Sequence, residues 1–236
     1  MDSVMMVREA LGIRDEAVGI KYTDDDPAVE VAEAHYAVCN GILAAAKGQV
    51  ILLTEKTCAC PGGRSTLGLT ATRGVSLKML VEGEKLWCDV KTATRSRMQT
   101  HKIASPPLGI GCKVYLYPMS KKVFAPDLVL FIVNAEQVSR LITLAQFWNG
   151  LTPAFEMRAS LCWAAVTYPL VSGNFNISVG DISARRMAGW EPSQMIATIP
   201  AEQMEGIAAA VDKTTAGTAA TSEQFEKLTS AMKRPA

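Results

Sequence analysis

The sequence predicts a mixed fold, α/β or α+β, made of two internally duplicated halves that a pseudo-two-fold axis relates around a shared core. Three observations lead to this prediction. Strand-like and helix-like segments alternate along the 236 residues, and some strands are adjacent in sequence. Hydrophobic residues make up 49% of the chain, which is enough for a buried core. A short turn motif near residue 60 recurs near residue 181.

The residue pattern assigns the elements in chain order. Runs of β-forming residues bounded by turn residues predict strands at residues 17–22, 49–54, 113–117, 128–133, 177–179 and 195–199. Helix-forming segments predict helices at residues 4–11, 29–46, 76–91, 136–148, 159–166 and 201–211, with two more beginning at about residues 63 and 182. Residues 213–221 are rich in Thr, Ala and Gly and predict a linker, which a short helix at residues 222–232 follows.

The domain organisation follows from what is missing between the halves. No Pro-, Gly- or Ser-rich boundary separates them, so we expect one internally duplicated domain over residues 1–212, with halves of about 1–110 and 111–212. Residues 213–236 are then a linker and a C-terminal helix.

Composition excludes several classes of partner. The formal net charge is +1, and no basic stripe is present that could hold a phosphate backbone, so nucleic acid is not expected to bind. No apolar run approaches the roughly 18 residues of a membrane span. The first residues also lack the apolar stretch of a secretory signal. These features predict a cytoplasmic protein with no membrane partner.

The six cysteines do not indicate a disulfide framework, because disulfides are rare in cytoplasmic proteins of this length. A free cysteine is often simply a small buried hydrophobe. We expect that role for Cys88, which follows a tryptophan, and for Cys112, which opens a predicted strand.

The repeated turn has the same layout in both halves. Cys60 begins the segment Cys-Pro-Gly-Gly-Arg, and Asp181 begins Asp-Ile-Ser-Ala-Arg. Arg64 therefore corresponds to Arg185, and a glycine follows each arginine four residues later. This constant offset is the main sign of an internal duplication.

A second correspondence lies upstream of the turn. Cys39 pairs with Cys162 at nearly the same offset, and each lies in an Ala-rich segment that ends before a strand-like run. If a pseudo-two-fold axis relates the halves, then Cys39, Cys60, Cys162 and Asp181 converge on one central site. Three thiols and a carboxylate form a metal-ligand set.

The turn around Cys60 is suited to a negatively charged group. Gly62 and Gly63 let the backbone approach a ligand closely, and the helix that follows presents free N–H groups. These N–H groups stabilise negative charge and favour a thiolate. Arg64 and Arg185, beside the two turns, would balance the charge of a cluster or clamp a carboxylate or phosphate.

The spacing of the thiols favours an iron–sulfur cluster over zinc. Structural zinc sites usually contain local Cys-x-x-Cys pairs, whereas these thiols lie far apart in sequence. A cluster held by Cys39, Cys60 and Cys162 leaves one iron for Asp181, water or substrate, and such an iron acts as a Lewis acid. Cys58 could replace Cys60 as a ligand or form a redox pair with it.

The same segments carry a family resemblance. The chain resembles an uncharacterised prokaryotic family called domain of unknown function 169, roughly over residues 17–211. The residues that carry the resemblance are Cys39-Asn40-Gly41, Cys60-Pro61-Gly62-Gly63-Arg64, Leu67-Gly68, Gly180-Asp181 and Arg185-Arg186. The family pattern usually has a cysteine in the second turn, where this chain has Asp181. The resemblance implies a fold and a site, and it supplies no activity.

The leading hypothesis is a cytoplasmic 4Fe–4S protein that acts in electron transfer or in redox or Lewis-acid chemistry on a small anionic molecule. It would be an oxidoreductase or a lyase, and its partner would be that molecule or a redox protein. The composition is compatible with a homodimer. The alternative is a cluster-free small-molecule binding protein or a thiol-based redox sensor. A thiol enzyme with Cys60 as nucleophile lacks an obvious histidine base. No catalytic residue is assigned.

Overall fold

The structure is a computed structural model that describes residues 2–32, 34–70, 77–103, 113–158, 160–216 and 219–232. Within these ranges, six strands form one sheet in the order β2-β3-β1-β4-β6-β5, and all neighbours are antiparallel. The strands are Val18–Thr23 (β1), Ile51–Leu53 (β2), Lys113–Pro118 (β3), Leu128–Val133 (β4), Asn176–Ser178 (β5) and Met195–Pro200 (β6). The predicted mixed fold class is confirmed.

Helices cover both faces of this sheet. In the described part of the chain the α-helices are Ser3–Ala10 (α1), Val38–Ala46 (α2), Pro61–Thr66 (α3), Val90–Ile103 (α4), Ala135–Asn149 (α5), Tyr168–Ser172 (α6), Ile182–Ala188 (α7), Met204–Ala209 (α8) and Ala219–Met232 (α9). Two π-helical turns, Met79–Gly83 and Trp163–Thr167, and two 3-10 turns, Met119–Lys121 and Ala201–Gln203, complete the description. No helix among the described residues is long and apolar enough to cross a membrane.

The two faces of the sheet have separate cores. The first, which we call the α2 face, carries side chains from α2, α7 and the Trp163–Thr167 turn against Val18, Ile20 and Tyr22 of β1. The second, the α5 face, packs α1, α5 and α8 against the sheet. Strand β4 contributes to both cores by strict alternation, which explains why all six of its residues are apolar and buried.

The predicted helix over residues 29–46 is wrong in its first part, because α2 begins only at Val38. The preceding residues make extended contacts instead. The Ala32 N–H donates to Val50 O at 2.8 Å, and Tyr36 forms a parallel bridge with Cys58. Hydrogen bonds to distant segments therefore override the helix propensity of this stretch.

Two other helix boundaries differ from the prediction. The helix expected at 76–91 ends after the Met79–Gly83 turn, where Lys85 takes a positive φ of 52°, and α4 starts afterwards; residue 76 itself lies outside the described residues. The helix expected at 159–166 continues past Pro169 into α6. A proline near the start of a helical segment needs no N–H partner, so the chain stays helical there.

Candidate functional site

The structure places the four predicted ligands on separate elements of the α2 face. Cys39 lies in the first turn of α2, and Cys60 is the N-cap residue of α3. Cys162 directly precedes the Trp163–Thr167 turn, and Asp181 is the N-cap residue of α7. Because α2 contacts α7, segments from the first and last thirds of the chain meet here.

The electrostatics of the thiols show that these groups lie close together. Burial raises the pKa of the Cys162 thiol well above its usual value, and Cys60, Cys39, Asp181 and Cys58 raise it further. Burial also raises the pKa of Cys39, to which Cys60 and Asp181 again contribute. Burial and the neighbouring acidic groups therefore oppose ionisation of the Cys39 and Cys162 thiols. We call Cys39, Cys58, Cys60, Cys162 and Asp181 the cysteine site.

Cys60 and Gly63 join α3 to the cysteine site. The Gly63 N–H donates to Cys60 Sγ at 3.4 Å, which is the usual role of an N-cap side chain. A Cβ atom on Gly63 would lie 2.9 Å from Val38 Cγ2 and 3.3 Å from Cys58 Sγ. Gly63 therefore permits the close approach of α3 to α2, whereas the neighbouring Gly62 is only partly buried.

Asp181 begins the second copy of the turn motif. Its Oδ1 accepts the N–H of Ala184 at 2.7 Å and caps α7. Its Oδ2 accepts the N–H of Leu161 at 3.1 Å, so the same carboxylate holds the residue before Cys162. Asp181 thus has a structural role that does not depend on a metal.

The two corresponding arginines have different partners. Arg185 donates to Val179 O and Gln194 O at 2.8 Å each, and also to Glu191 O, so its guanidinium holds the chain around α7. Arg64 donates to Glu55 O at 3.2 Å, and its buried Nε–H has no hydrogen-bond partner in the described part of the chain. Arg64, rather than Arg185, keeps a donor for a bound anion.

Arg64 also lies near the thiols, because its charge lowers the pKa of Cys58 against the dominant effect of burial. Among the described residues, however, no group of three or more His, Cys, Asp or Glu side chains is arranged to hold a single metal ion. All five described cysteines are free thiols.

A family model, DUF169 (domain of unknown function 169), described as "Uncharacterised ArCR", matches residues 7–210. The chain belongs to this family. The resemblance that the turn motifs predicted is therefore confirmed. No curated protein and no solved structure matches the chain significantly.

The remaining cysteines of this DUF169 protein differ in their surroundings. Cys58 is buried in the α2-face core, and its Sγ–H donates to Cys60 O at 3.6 Å. Cys88 is exposed, contrary to the core role predicted for it, because the helix that would have buried it ends earlier. Cys112 lies outside the described residues.

Sequence reasoning missed two residues beside the cysteine site. Trp190 donates its Nε1–H to Cys39 O at 3.3 Å, and Tyr22 lies near enough for Cys162 to raise the pKa of its phenol, after the larger effect of burial. Alternation along β1 places Tyr22 on the same face as Val18 and Ile20, so this position was readable from the sequence. The role of Trp190 had no sequence signal.

A pocket opens beside the same tyrosine. Its volume is about 470 Å³, which falls within the usual range for small-molecule sites. The lining residues are Tyr22, Pro126, Asp127, Leu128, Pro169, Leu170, Gly173, Pro200, Ala201 and Glu202. Tyr22 thus lines this pocket and also belongs to the core that contains Cys39.

Proposed function

We propose that this DUF169 protein holds a 4Fe–4S cluster through Cys39, Cys60 and Cys162, with Asp181 as a further ligand. The cluster would serve electron transfer, or redox or Lewis-acid chemistry on a small anionic molecule, in the cytoplasm. The observation that carries the proposal is the meeting of thiols from distant segments in one partly buried place, where burial and neighbouring acidic groups raise the pKa of Cys39 and Cys162.

The chemistry of the donor set fits such a cluster. Thiols must lose their protons to bind metal, and burial next to other acids opposes this loss unless positive charge is supplied. Iron ions would supply it. The thiols also lie on separate elements without forming a single-ion site among the described residues, and a cluster spans more volume than one ion.

The chain supplies donors around such an anionic group. The Gly63 N–H already points at Cys60 Sγ, and hydrogen bonds to sulfur help to set a cluster's potential. The spare Nε–H of Arg64 lies near Cys58 and would offset negative charge or bind a carboxylate of the substrate.

Strand register supports the internal duplication, which forms part of this proposal. Val18, the first residue of β1, faces Pro118 at the end of β3, and Leu128 of β4 faces Pro200 of β6 in the same way. Ile51, the first residue of edge strand β2, faces Leu116, two residues before Pro118. In the same way Asn176, the first residue of edge strand β5, faces Thr198, two residues before Pro200. A 3-10 turn follows each proline. We therefore infer one duplicated domain over residues 1–212. Its first half would include β3, so the halves would divide after Pro118, later than the boundary of about residue 110 that the sequence suggested.

Iron and sulfide analysis of protein purified without oxygen tests the cluster. We expect brown protein with about four irons and four sulfides per chain. Replacement of Cys39 or Cys162 by serine should remove most of the iron, whereas Cys88→Ser, a matched change at an exposed thiol, should not. Asp181→Cys should keep the cluster and slow its loss in air. Colourless protein that takes up no iron on reconstitution would refute the proposal.

A second candidate function is a cluster-free redox sensor. Cys58 and Cys60 favour it, because a single residue separates them and the Cys58 thiol donates to Cys60 O. In a cluster-free redox sensor, two thiols of the site would lose two protons and two electrons to a peroxide and form a disulfide, while the peroxide becomes water or alcohol. Mass spectrometry of peroxide-treated, metal-free protein distinguishes the two functions. A disulfide within the cysteine site, in protein that never binds iron, would support the sensor.

A further inference from the structure

The hydroxyl of Tyr22 is buried and has no hydrogen-bond partner among the residues that the structure describes. The side chain belongs to β1 in the middle of the sheet, and the residue is only 8% exposed. Native proteins rarely leave a buried hydroxyl unsatisfied, because it loses its bond to water and gains none in return. The hydrogen-bond partner of this hydroxyl is therefore expected to be a bound group that is not part of the chain.

Two other buried tyrosines of the sheet provide the comparison. Tyr115 donates to Asp26 Oδ1 at 3.0 Å, and Tyr117 donates to Phe124 O at 3.1 Å. Both belong to β3 and pack in a core separate from the cysteine site. Among these three tyrosines, the unsatisfied hydroxyl therefore belongs to the one on the α2 face.

Two further unsatisfied atoms belong to residues that neighbour thiols of the site in sequence or in space. Asn40 Oδ1, in the residue after Cys39, and Arg64 Nε, near Cys58, are also buried without partners among the described residues. Each of three thiols therefore has a residue with an unpaired polar atom beside it: Tyr22 for Cys162, Asn40 for Cys39 and Arg64 for Cys58. Among the described residues, the other two buried side-chain atoms without a partner are Glu16 Oε2 and Thr198 Oγ1. Three of the five therefore belong to residues that neighbour the thiols, which suits a polar group that the folded chain alone does not supply.

We propose that the Tyr22 hydroxyl is the hydrogen-bond donor to the group bound at the cysteine site. It would donate to a sulfur or oxygen atom beside Cys162, and it would hold that group against the wall of the neighbouring pocket. The inference rests on the proposed function in that the bound group is taken to be the iron–sulfur cluster. Tyr22 touches the cofactor in this arrangement and transfers no proton.

Tyr22→Phe is the test, and Tyr117→Phe is the matched control. Each change removes one buried hydroxyl. Of the two hydroxyls, only that of Tyr117 has a partner among the described residues. In metal-free protein we expect Tyr22→Phe to be at least as stable to urea as wild type, and Tyr117→Phe to be less stable. A loss of stability in metal-free Tyr22→Phe as large as that of Tyr117→Phe would overturn the inference, whatever the iron content.

The second measurement uses protein reconstituted with ferrous iron and sulfide in the absence of oxygen. We expect Tyr22→Phe to lose iron to a chelator about 3- to 10-fold faster than wild type, as loss of one hydrogen bond implies. Its reduction potential should become more negative, because hydrogen bonds to sulfur help to set the potential. Tyr117→Phe should match wild type in both measurements.

The outcomes separate the two proposals. Wild type that takes up iron, with Tyr22→Phe identical to it in chelator rate and potential, overturns the role of Tyr22 and leaves the cluster standing. Wild type that takes up no iron overturns the cluster and the role of Tyr22 with it. We expect Tyr22→Phe to leave the metal-free protein as stable as wild type and to weaken the cluster in the loaded protein. This pair of results supports both the cluster and the hydrogen bond from Tyr22.

Discussion

Replacing Asp181 with alanine should destabilise the metal-free protein strongly. The carboxylate accepts two backbone N–H groups, from Ala184 at 2.7 Å and from Leu161 at 3.1 Å. Loss of an N-cap acceptor costs about 1 kcal/mol. Leu161 is 1% exposed, so its N–H would be left without water, at roughly 1–3 kcal/mol. We therefore expect Asp181→Ala to lower the free energy of unfolding by about 2–4 kcal/mol.

The assay is urea unfolding of metal-free protein, followed by circular dichroism. Asp181→Asn is the matched variant, because it keeps one oxygen for the cap and turns an NH₂ group toward Leu161; it should lose about half as much stability. Asp2→Ala is a second control, since Asp2 caps α1 through one bond, to Val4 N at 3.0 Å. Its loss should be about 1 kcal/mol.

One result would refute this reasoning. If Asp181→Ala unfolds within about 0.5 kcal/mol of wild type, the change behaves as an ordinary surface substitution. The carboxylate would then not tie α7 to the segment before Cys162. Any role of the Asp181 carboxylate would then have to come from its contact with a bound group.

Two further predictions concern packing and charge. Gly63→Ala should cost about 1–3 kcal/mol in urea unfolding, because the new Cβ would lie 2.9 Å from Val38 Cγ2; an unchanged stability would show that α3 can move away freely. Hydrogen bonds from Lys113 and Tyr115 hold the pKa of the Asp26 carboxyl below its usual value. This contribution to stability is present above the pKa that Asp26 has in the unfolded chain, and it is lost as the pH falls through the lower pKa of the folded protein. Lys113→Ala should therefore raise the Asp26 midpoint in an NMR titration. A midpoint that does not move would exclude the ion pair in solution.

Much of the fold was readable from local pattern. Residues 128–133 form a fully buried strand because a run of six apolar residues satisfies a strand covered on both faces. Helix α5 has its limits in the sequence, since Asn134 and Gln137 form a capping box and Gly150 ends the helix in the left-handed conformation. The two turns at Cys60 and Asp181 were predicted from their matching layout, and both serve as helix caps.

Other features depended on segments far apart in the chain. Residues before Val38 were predicted as helix but pair with Val50 and Cys58 instead. The corresponding arginines were predicted as equivalents, yet the carbonyl groups around α7 use the donors of Arg185 and leave Arg64 with a spare one. Local sequence does not encode which distant carbonyl a guanidinium reaches.

The sequence by itself determined the mixed fold class and the six strands of the described sheet, because periodicity and capping are local properties. It also determined the family and the candidate site residues. Only the tertiary structure decided that Cys58 and Tyr22 accompany the predicted ligands, and that Cys88 does not. The physical reason is that burial and unsatisfied hydrogen bonds arise only when separate elements pack together.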